Sequence, residues 1–120
     1  LDGVADQIDD TVKNDVKYIT PFDANSTDEK VASFVKTYKE KFGGTPNQFA
    51  ADAYDAVYAV FEAMKAAGVN DPSISAADLS KKVVEAITAD SFSYVGVTGK
   101  MNWDASGACN KEPIIVELKK

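Results

Sequence analysis

Pro113-Ile114-Ile115-Val116-Glu117-Leu118 reads as a strand whose consecutive apolar residues need cover on both faces, the pattern of a parallel sheet flanked by helices. Pro113 stands at its first position, where a missing amide is tolerated. The other clear strand, residues 16–22 (Val16-Lys17-Tyr18-Ile19-Thr20-Pro21-Phe22), lies about ninety residues upstream and stops at Pro21. Between the two the sequence sets three helices and a hairpin. Parallel strands need βαβ crossovers, and the chain has too few strands to supply them. The sheet is therefore incomplete, and the chain reads as the C-terminal piece of a longer α/β protein.

Working inward, Ser26-Thr27-Asp28-Glu29 has the form of a capping box, with Ser26 expected to hold the Glu29 amide. Val31, Phe34, Val35, Tyr38 and Phe42 follow at helical spacing, and Gly43-Gly44 with Pro46 ends that helix. A second helix is expected over residues 47–67, with Gly68 just past its end. Its Phe49, Ala53, Val57, Val60, Phe61 and Met64 sit among further Ala and Tyr, so it is apolar nearly all round and expects burial on several sides. A third helix over residues 76–89 opens on Ser75 with Asp78 three positions on, and Leu79, Val83, Ala86 and Ile87 form its stripe. After Asp90 the period moves toward two, with a Gly96-Val97-Thr98-Gly99 break and turn chemistry at Asp104-Ala105-Ser106-Gly107.

Composition narrows the chemistry. The 120 residues carry 19 acids against 13 basic residues, a net charge of −6, and every basic residue is Lys. An acidic chain without Arg is not a nucleic-acid binder. The absence of His removes Ser-His-Asp and Cys-His nucleophiles, His-ligated metals and His pH switching. The single Cys109 has no intramolecular partner and reads as an incidental thiol. The longest wholly apolar run, residues 56–61, is far short of the roughly twenty residues that span a bilayer. Most of the net charge lies in the first 28 residues, where Asp6, Asp9 and Asp10 lack the spacing and Gly of a calcium loop and read as a solvated face.

No phosphate loop or dinucleotide fingerprint is present; Gly96-Val97-Thr98-Gly99 is too short and does not precede a helix. Asp52 and Asp55 stand three apart on the second helix and could share acid–base work, but carboxylates favoured by the helix dipole are the preferred reading. Trp103 reads as a packing residue on the hairpin before a stacking platform. Phe49 begins the second helix after Pro46, where side chains and free amides can line an anionic ligand pocket, although packing at the helix entrance explains it as well. No catalytic residue, metal ligand or cofactor site is assigned, and the chain is not expected to be an enzyme.

Four stretches in order carry a resemblance. Tyr18-Ile19-Thr20-Pro21-Phe22, Phe34-Val35-Lys36-Thr37-Tyr38-Lys39-Glu40-Lys41-Phe42-Gly43, Pro46-Asn47-Gln48-Phe49-Ala50-Ala51-Asp52-Ala53-Tyr54-Asp55-Ala56 and Gly96-Val97-Thr98-Gly99-Lys100-Met101-Asn102-Trp103-Asp104-Ala105-Ser106-Gly107 together resemble the C-terminal third of substrate-binding proteins of branched-chain amino acid ABC transporters. The resemblance implies the C-terminal fragment of a type I periplasmic-binding-protein fold, two Rossmann-like α/β lobes closing by hinge motion. Residues 1–22 would end the second lobe, 23–25 form a crossing, 26–112 supply first-lobe helices and hairpin, and 113–120 return as a terminal strand of the second lobe. Leu1-Asp2-Gly3 resembles the residues just after the loop that holds the ligand ammonium, whose acidic ligand would lie upstream. Phe49 matches an aromatic that touches the ligand side chain, which makes it the one candidate ligand-binding residue; Asp52-Ala53 replaces the Leu-Gly usual there.

The implied function is extracytoplasmic capture of a branched-chain or related amino acid, in the periplasm or anchored by lipid to the outer face of the membrane, for delivery to a transporter permease. A ligand-sensing regulatory receptor of the same fold is the alternative. Neither involves bond making. The apolar second helix, lacking its sheet, predicts that the isolated 120 residues swap elements with a second copy or stay partly molten. Sedimentation and thermal melting of the isolated chain check this; a monomer mass with a sharp cooperative melt would refute it.

Overall fold

The computed structural model describes residues 11–12 and 15–117 and places, in chain order, β1 (Lys17–Thr20), α1 (Glu29–Phe42), α2 (Gln48–Ala66), α3 (Ala76–Ile87), β2 (Tyr94–Gly96), β3 (Gly99–Trp103), β4 (Cys109–Lys111) and β5 (Ile114–Glu117). The acidic opening with Asp2, Asp6, Asp9 and Asp10, the Leu1-Asp2-Gly3 match and Leu118 lie outside the described residues. Two sheets form. One is the pair β1–β5; the other is the meander β2–β3–β4.

The β1–β5 pair is antiparallel, with Tyr18 opposite Val116 and Ile19 opposite Ile115. The parallel arrangement expected from Ile114-Ile115-Val116 is thus corrected, because the partner available among the described residues runs the other way. The two isoleucines share one face and stand 70% and 73% exposed, while Val116 is half-buried and Tyr18 likewise. The hydrophobic run therefore supplies two apolar faces, and the one bearing Ile19 and Ile115 is bare. Among the described residues two connections, 21–28 and 112–113, join this sheet to the helices and the meander.

Helix α1 starts two residues later than its capping box implied. Asp28, not Ser26, is the N-cap: its carboxylate accepts from the amides of Lys30 at 2.9 Å and Val31 at 3.2 Å. Ser26 instead accepts the Asp28 amide at 3.2 Å. A carboxylate adjacent to the first turn is a stronger acceptor than a hydroxyl two positions back, so Glu29 falls at the first helical position. Gly43 closes α1 at φ 75°, a conformation that costs glycine little.

Asn47 caps α2 by accepting the Ala50 amide at 2.9 Å. Gly68 ends it at φ 62°, with its amide on the Lys65 carbonyl and that of Val69 on Met64, both at 3.0 Å, the Schellman arrangement. Ser75 caps α3 as expected, accepting the Asp78 amide at 3.1 Å while its hydroxyl donates to the Asp78 carboxylate at 2.7 Å. That helix stops at Ile87, two residues short, where Thr88 turns its hydroxyl back to the Val84 carbonyl at 2.8 Å. Strand β4 was not legible: Cys109-Asn110-Lys111 lacks β-branched alternation and is a strand because β3 pairs with it.

Phe22, Val31, Phe34, Val35, Ala51 and Val97 form the core cluster, with the Phe22 ring edge-on to Phe34 at 6.0 Å. Phe22 thus anchors the first connection into the helical body. The expectation that α2 is buried on several sides is corrected. Only the stripe Ala51, Asp55, Ala59, Ala63, spaced four apart, is buried, and small residues there let the hairpin and α3 approach closely. Phe49, Val57, Tyr58, Val60 and Phe61 are exposed, because among the described residues nothing lies over the other faces. The radius of gyration is 17.8 Å, against about 14 Å for a compact chain of this length, so the chain is more extended than a closed globule.

Among the described glycines Gly96 is the most closely approached, since a Cβ there would collide with the Asp55 carboxylate; at Gly44 nothing lies within 4 Å. Gly96→Ala is expected to lose about 1–3 kcal/mol or more by overpacking, and Gly44→Ala less than about 0.5 kcal/mol. Urea unfolding of the two variants side by side checks the contrast; equal stabilities would remove the close approach.

Candidate functional site

The first two turns of α2 gather the polar side chains of the molecule. The hairpin turn Val97-Thr98, between the paired Gly96 and Gly99, lays two backbone amides against the helix. Asp55, 1% exposed, accepts from the Val97 amide at 2.9 Å, the Thr98 amide at 2.8 Å and the Thr98 hydroxyl at 2.6 Å. Glycine at position 96 is what lets the strand come this near. A buried carboxylate with three donors has its desolvation largely offset by charge-assisted bonds.

From Thr98 the network runs outward. Lys111, the last residue of β4, donates to the Thr98 hydroxyl at 2.7 Å and to the Asp52 carboxylate at 3.0 Å. The other Asp52 oxygen receives the Gln48 side-chain amide at 3.4 Å. Gln48 Oε1 in turn lies 3.2 Å from the Thr20 hydroxyl, which also accepts the Phe22 amide at 3.3 Å. No buried side-chain polar atom among the described residues lacks a partner.

This geometry decides between the two readings of Asp52 and Asp55. Neither is positioned for acid–base exchange: Asp55 is committed to the hairpin turn and Asp52 to Lys111. The dipole reading is also incomplete, since Asp55 lies beyond the first turn of α2 and is held by the hairpin. Its signal in the sequence was a lone charge on the stripe Ala51, Ala59, Ala63 of an otherwise apolar helix. Thr98 and Lys111 carried no signal, because their partners lie 43 and 59 positions away.

Phe49 is the second residue of α2, next to Gln48, and is 74% exposed. It lines neither of the two concavities beside it. One, about 520 Å³ between α1 and α2, is walled by Phe34, Tyr38, Phe42 and Tyr54 with Lys30 and Lys41 at its rim. The other, about 250 Å³, lies between the two connections and is lined by Pro21, Asp23, Lys30, Gly96, Thr98 and Glu112 among others. Trp103 is half-buried with its ring 6.2 Å from Phe92, which is the packing role expected of it. The Cys109 thiol pKa is raised, chiefly by desolvation, so it is held away from the reactive thiolate. Among the described residues no three metal-ligating side chains cluster, and no helix is long and apolar enough to cross a membrane.

Comparison with known proteins bears on this arrangement. The family described as periplasmic binding protein matches residues 4–116. Among solved structures, one described as a branched-chain amino acid ABC transporter from Rhodospirillum rubrum is 29% identical at a TM-score of 0.64, over 83% of this chain and 27% of its own. A leucine binding protein from Thermotoga maritima is 25% identical at 0.59, over 85% of this chain and 27% of its own. A solute binding protein of an ABC transporter from Rhodopseudomonas palustris, in complex with 3,4-dihydroxybenzoic acid, shares the fold at 0.71 and 21% identity, over 95% and 29%. The chain thus spans less than a third of the length of these structures. Among curated proteins none matches.

Tyr94, half-buried on β2, reports on the Asp55 site. Its pKa is pushed up from 10.0 to about 12, first by desolvation and then by the Asp55 charge and the neighbouring Tyr54 and Tyr58. The folded value lies above the unfolded one, so the neutral phenol stabilises the fold fully below pH 10 and this contribution is lost as pH rises toward about 12. Tyr54 is raised as well, first by desolvation, so absorbance titration at 295 nm is expected to show late tyrosine steps of which the one at about 12 disappears in Tyr94→Phe; a titration with no step above the ordinary range would contradict the placement.

Proposed function

The chain belongs to the periplasmic binding protein family, and from that premise we propose that it forms part of an extracytoplasmic receptor delivering a branched-chain or related amino acid to an ABC transporter permease. The match along residues 4–116 carries the proposal. The amino acid class is supported by the two structures at 29% and 25% identity, one described as a branched-chain amino acid transporter and one as a leucine binding protein.

The described geometry suits such a receptor. Among the described residues the chain passes between the β1–β5 sheet and the helical body at two links, residues 21–28 and 112–113, and a pair of short links is a hinge in mechanical terms. On this reading residues 1–22 and 113–120 belong to one lobe, 26–112 to the other, and 23–25 form a crossing. The exposed side of α2 with Val57, Val60 and Phe61 is the side that the rest of the first-lobe sheet would cover.

Phe49 is the ligand contact within this chain. Its ring stands free at the amino end of α2, where helix geometry leaves the first amides outside the intrahelical ladder. A ring there offers an apolar wall for a side chain, while the carboxylate and ammonium of the ligand are held by groups outside this chain. Closure of the lobes then shifts a two-state equilibrium that the permease reads, and no bond is made or broken.

A thermal-shift screen of the full-length protein tests this, with the twenty amino acids in one set and benzoates in another. An upward shift of several degrees is expected with Leu, Ile or Val at concentrations far above Kd. Phe49→Ala is expected to weaken those ligands about tenfold, a loss of about 1.4 kcal/mol, and to leave alanine nearly unaffected. A response confined to the benzoates would overturn the amino acid assignment.

A further inference from the structure

Thr20 closes β1 and is paired to Ile114 on β5, so its backbone moves with that sheet. Phe22, two residues on, packs edge-on to Phe34 in the core of the helical body. Pro21 alone separates them, and its ring fixes φ. While Phe22 stays in the core, the sheet can turn at this link only through the remaining torsions of residues 20–22. The Thr20 hydroxyl bridges that point. Its oxygen lies 3.1 Å from the Phe22 carbonyl, 3.3 Å from the Phe22 amide and, 28 positions away in sequence, 3.2 Å from Gln48 Oε1 on α2.

We infer that the Thr20 hydroxyl is a two-position switch on the lobe angle. Donated to Gln48 Oε1, its proton ties the β1–β5 sheet to the first turn of α2, where Phe49 follows Gln48; donated to the Phe22 carbonyl, it leaves the sheet free of α2. This rests on the two-lobe reading above, in which Thr20 and Gln48 belong to different lobes. A hydroxyl has one proton and serves one of the two acceptors at a time. Both distances are long for a hydroxyl donor, whereas Thr98 commits its hydroxyl to Asp55 at 2.6 Å. Thr20 is 5% exposed, so the proton stays with one of these acceptors and is not given to bulk water. The Gln48 amide is held in the matching orientation. Its nitrogen donates to Asp52 at 3.4 Å, a carboxylate only accepts, and Lys111 holds that carboxylate at 3.0 Å, so the amide oxygen is left to face Thr20. Rotation that moves Thr20 by about half an ångström away from α2 breaks the bond to Gln48. The Phe22 carbonyl then takes the proton, and no buried donor is left unpaired. Thr20 and Gln48 are positioning residues, acting on Phe49 through the turn that carries it.

The test uses the ligand-free, full-length protein with Cys109→Ser, and spin labels at Lys17→Cys on β1 and Lys36→Cys on α1, both exposed positions. The distance distribution is measured by double electron–electron resonance. Gln48→Met, which removes the acceptor on α2 and leaves Thr20 its bonds to Phe22, is expected to broaden it about twofold. Thr20→Val, of the same shape without the hydroxyl, is expected to broaden it as much, and the double variant no further than Thr20→Val. Thr20→Ser, which keeps the hydroxyl, and Lys100→Met on β3 are expected to match the parent. A parent-like distribution in Gln48→Met would overturn the switch, and so would Thr20→Ser as broad as Thr20→Val, which would assign the effect to packing. Loss of hydrogen-exchange protection at the Phe22 amide in Gln48→Met would overturn it too, since the broadening would then come from a melted link. The receptor reading fails separately: it falls if no amino acid and no benzoate shifts the melting of the parent, and the ligand-free comparison still decides the switch.

Discussion

A carboxylate buried at the centre of an apolar helix organises this structure. Asp55 is 1% exposed and accepts three hydrogen bonds from the Val97-Thr98 turn, one of them at 2.6 Å. An ionised carboxylate withdrawn from water is tolerated only when donors replace the solvent, and two backbone amides with a hydroxyl do so. The turn can present them because Gly96 and Gly99 flank it, and Gly96 admits an approach that any Cβ would block. The β2–β3–β4 meander is thereby fixed to α2, and Lys111 comes to lie over Asp52. Without the carboxylate the meander would keep Val97 in the core cluster and Lys111 on Asp52, but would lose the three bonds that fix its turn to α2.

The remaining stability is hydrophobic and unevenly spread. Phe22, from a connection and not from a regular element, closes the cluster of α1, α2 and the hairpin turn. Beyond that cluster large apolar side chains stand in the open: Val57, Val60 and Phe61 on α2, Ile19 and Ile115 on the β1–β5 sheet. At about 25 cal/mol per Å² of apolar surface, faces of this kind are costly to leave wet. On the receptor reading proposed above they are the faces that further structure of the fold would cover, which would account for a helix α2 that is apolar nearly all round while only a stripe of it is buried here.

Much of the fold was legible because local physics dominates its elements. Gly43 and Gly68 ended helices where the pattern stopped, Ser75 capped α3, and Pro113 preceded the last strand. The misreadings have local causes too. Asp28 displaced Ser26 as cap because a carboxylate two positions nearer is the better acceptor. The side chains of β4 showed no strand character because its pairing comes from β3. The sequence offered one site residue, Phe49, an aromatic at a helix entrance; the Thr20–Gln48–Asp52–Lys111 chain gave no signal, since hydrogen bonds across 28 and 59 positions leave no periodic trace.

The sequence by itself determined the three helices, the hairpin, the incompleteness of the sheet and the family resemblance, all of which depend on residue spacing and on which chemistries are absent. Only the tertiary structure decided that β5 runs antiparallel to β1, that the acidic pair on α2 is structural, and that Thr20 and Lys111 both reach the opening turns of one helix. Spacing encodes which face of an element is apolar, because helix and strand periods are local. It does not encode which donors a buried carboxylate will meet, because that is fixed by chain closure over distances far longer than either period.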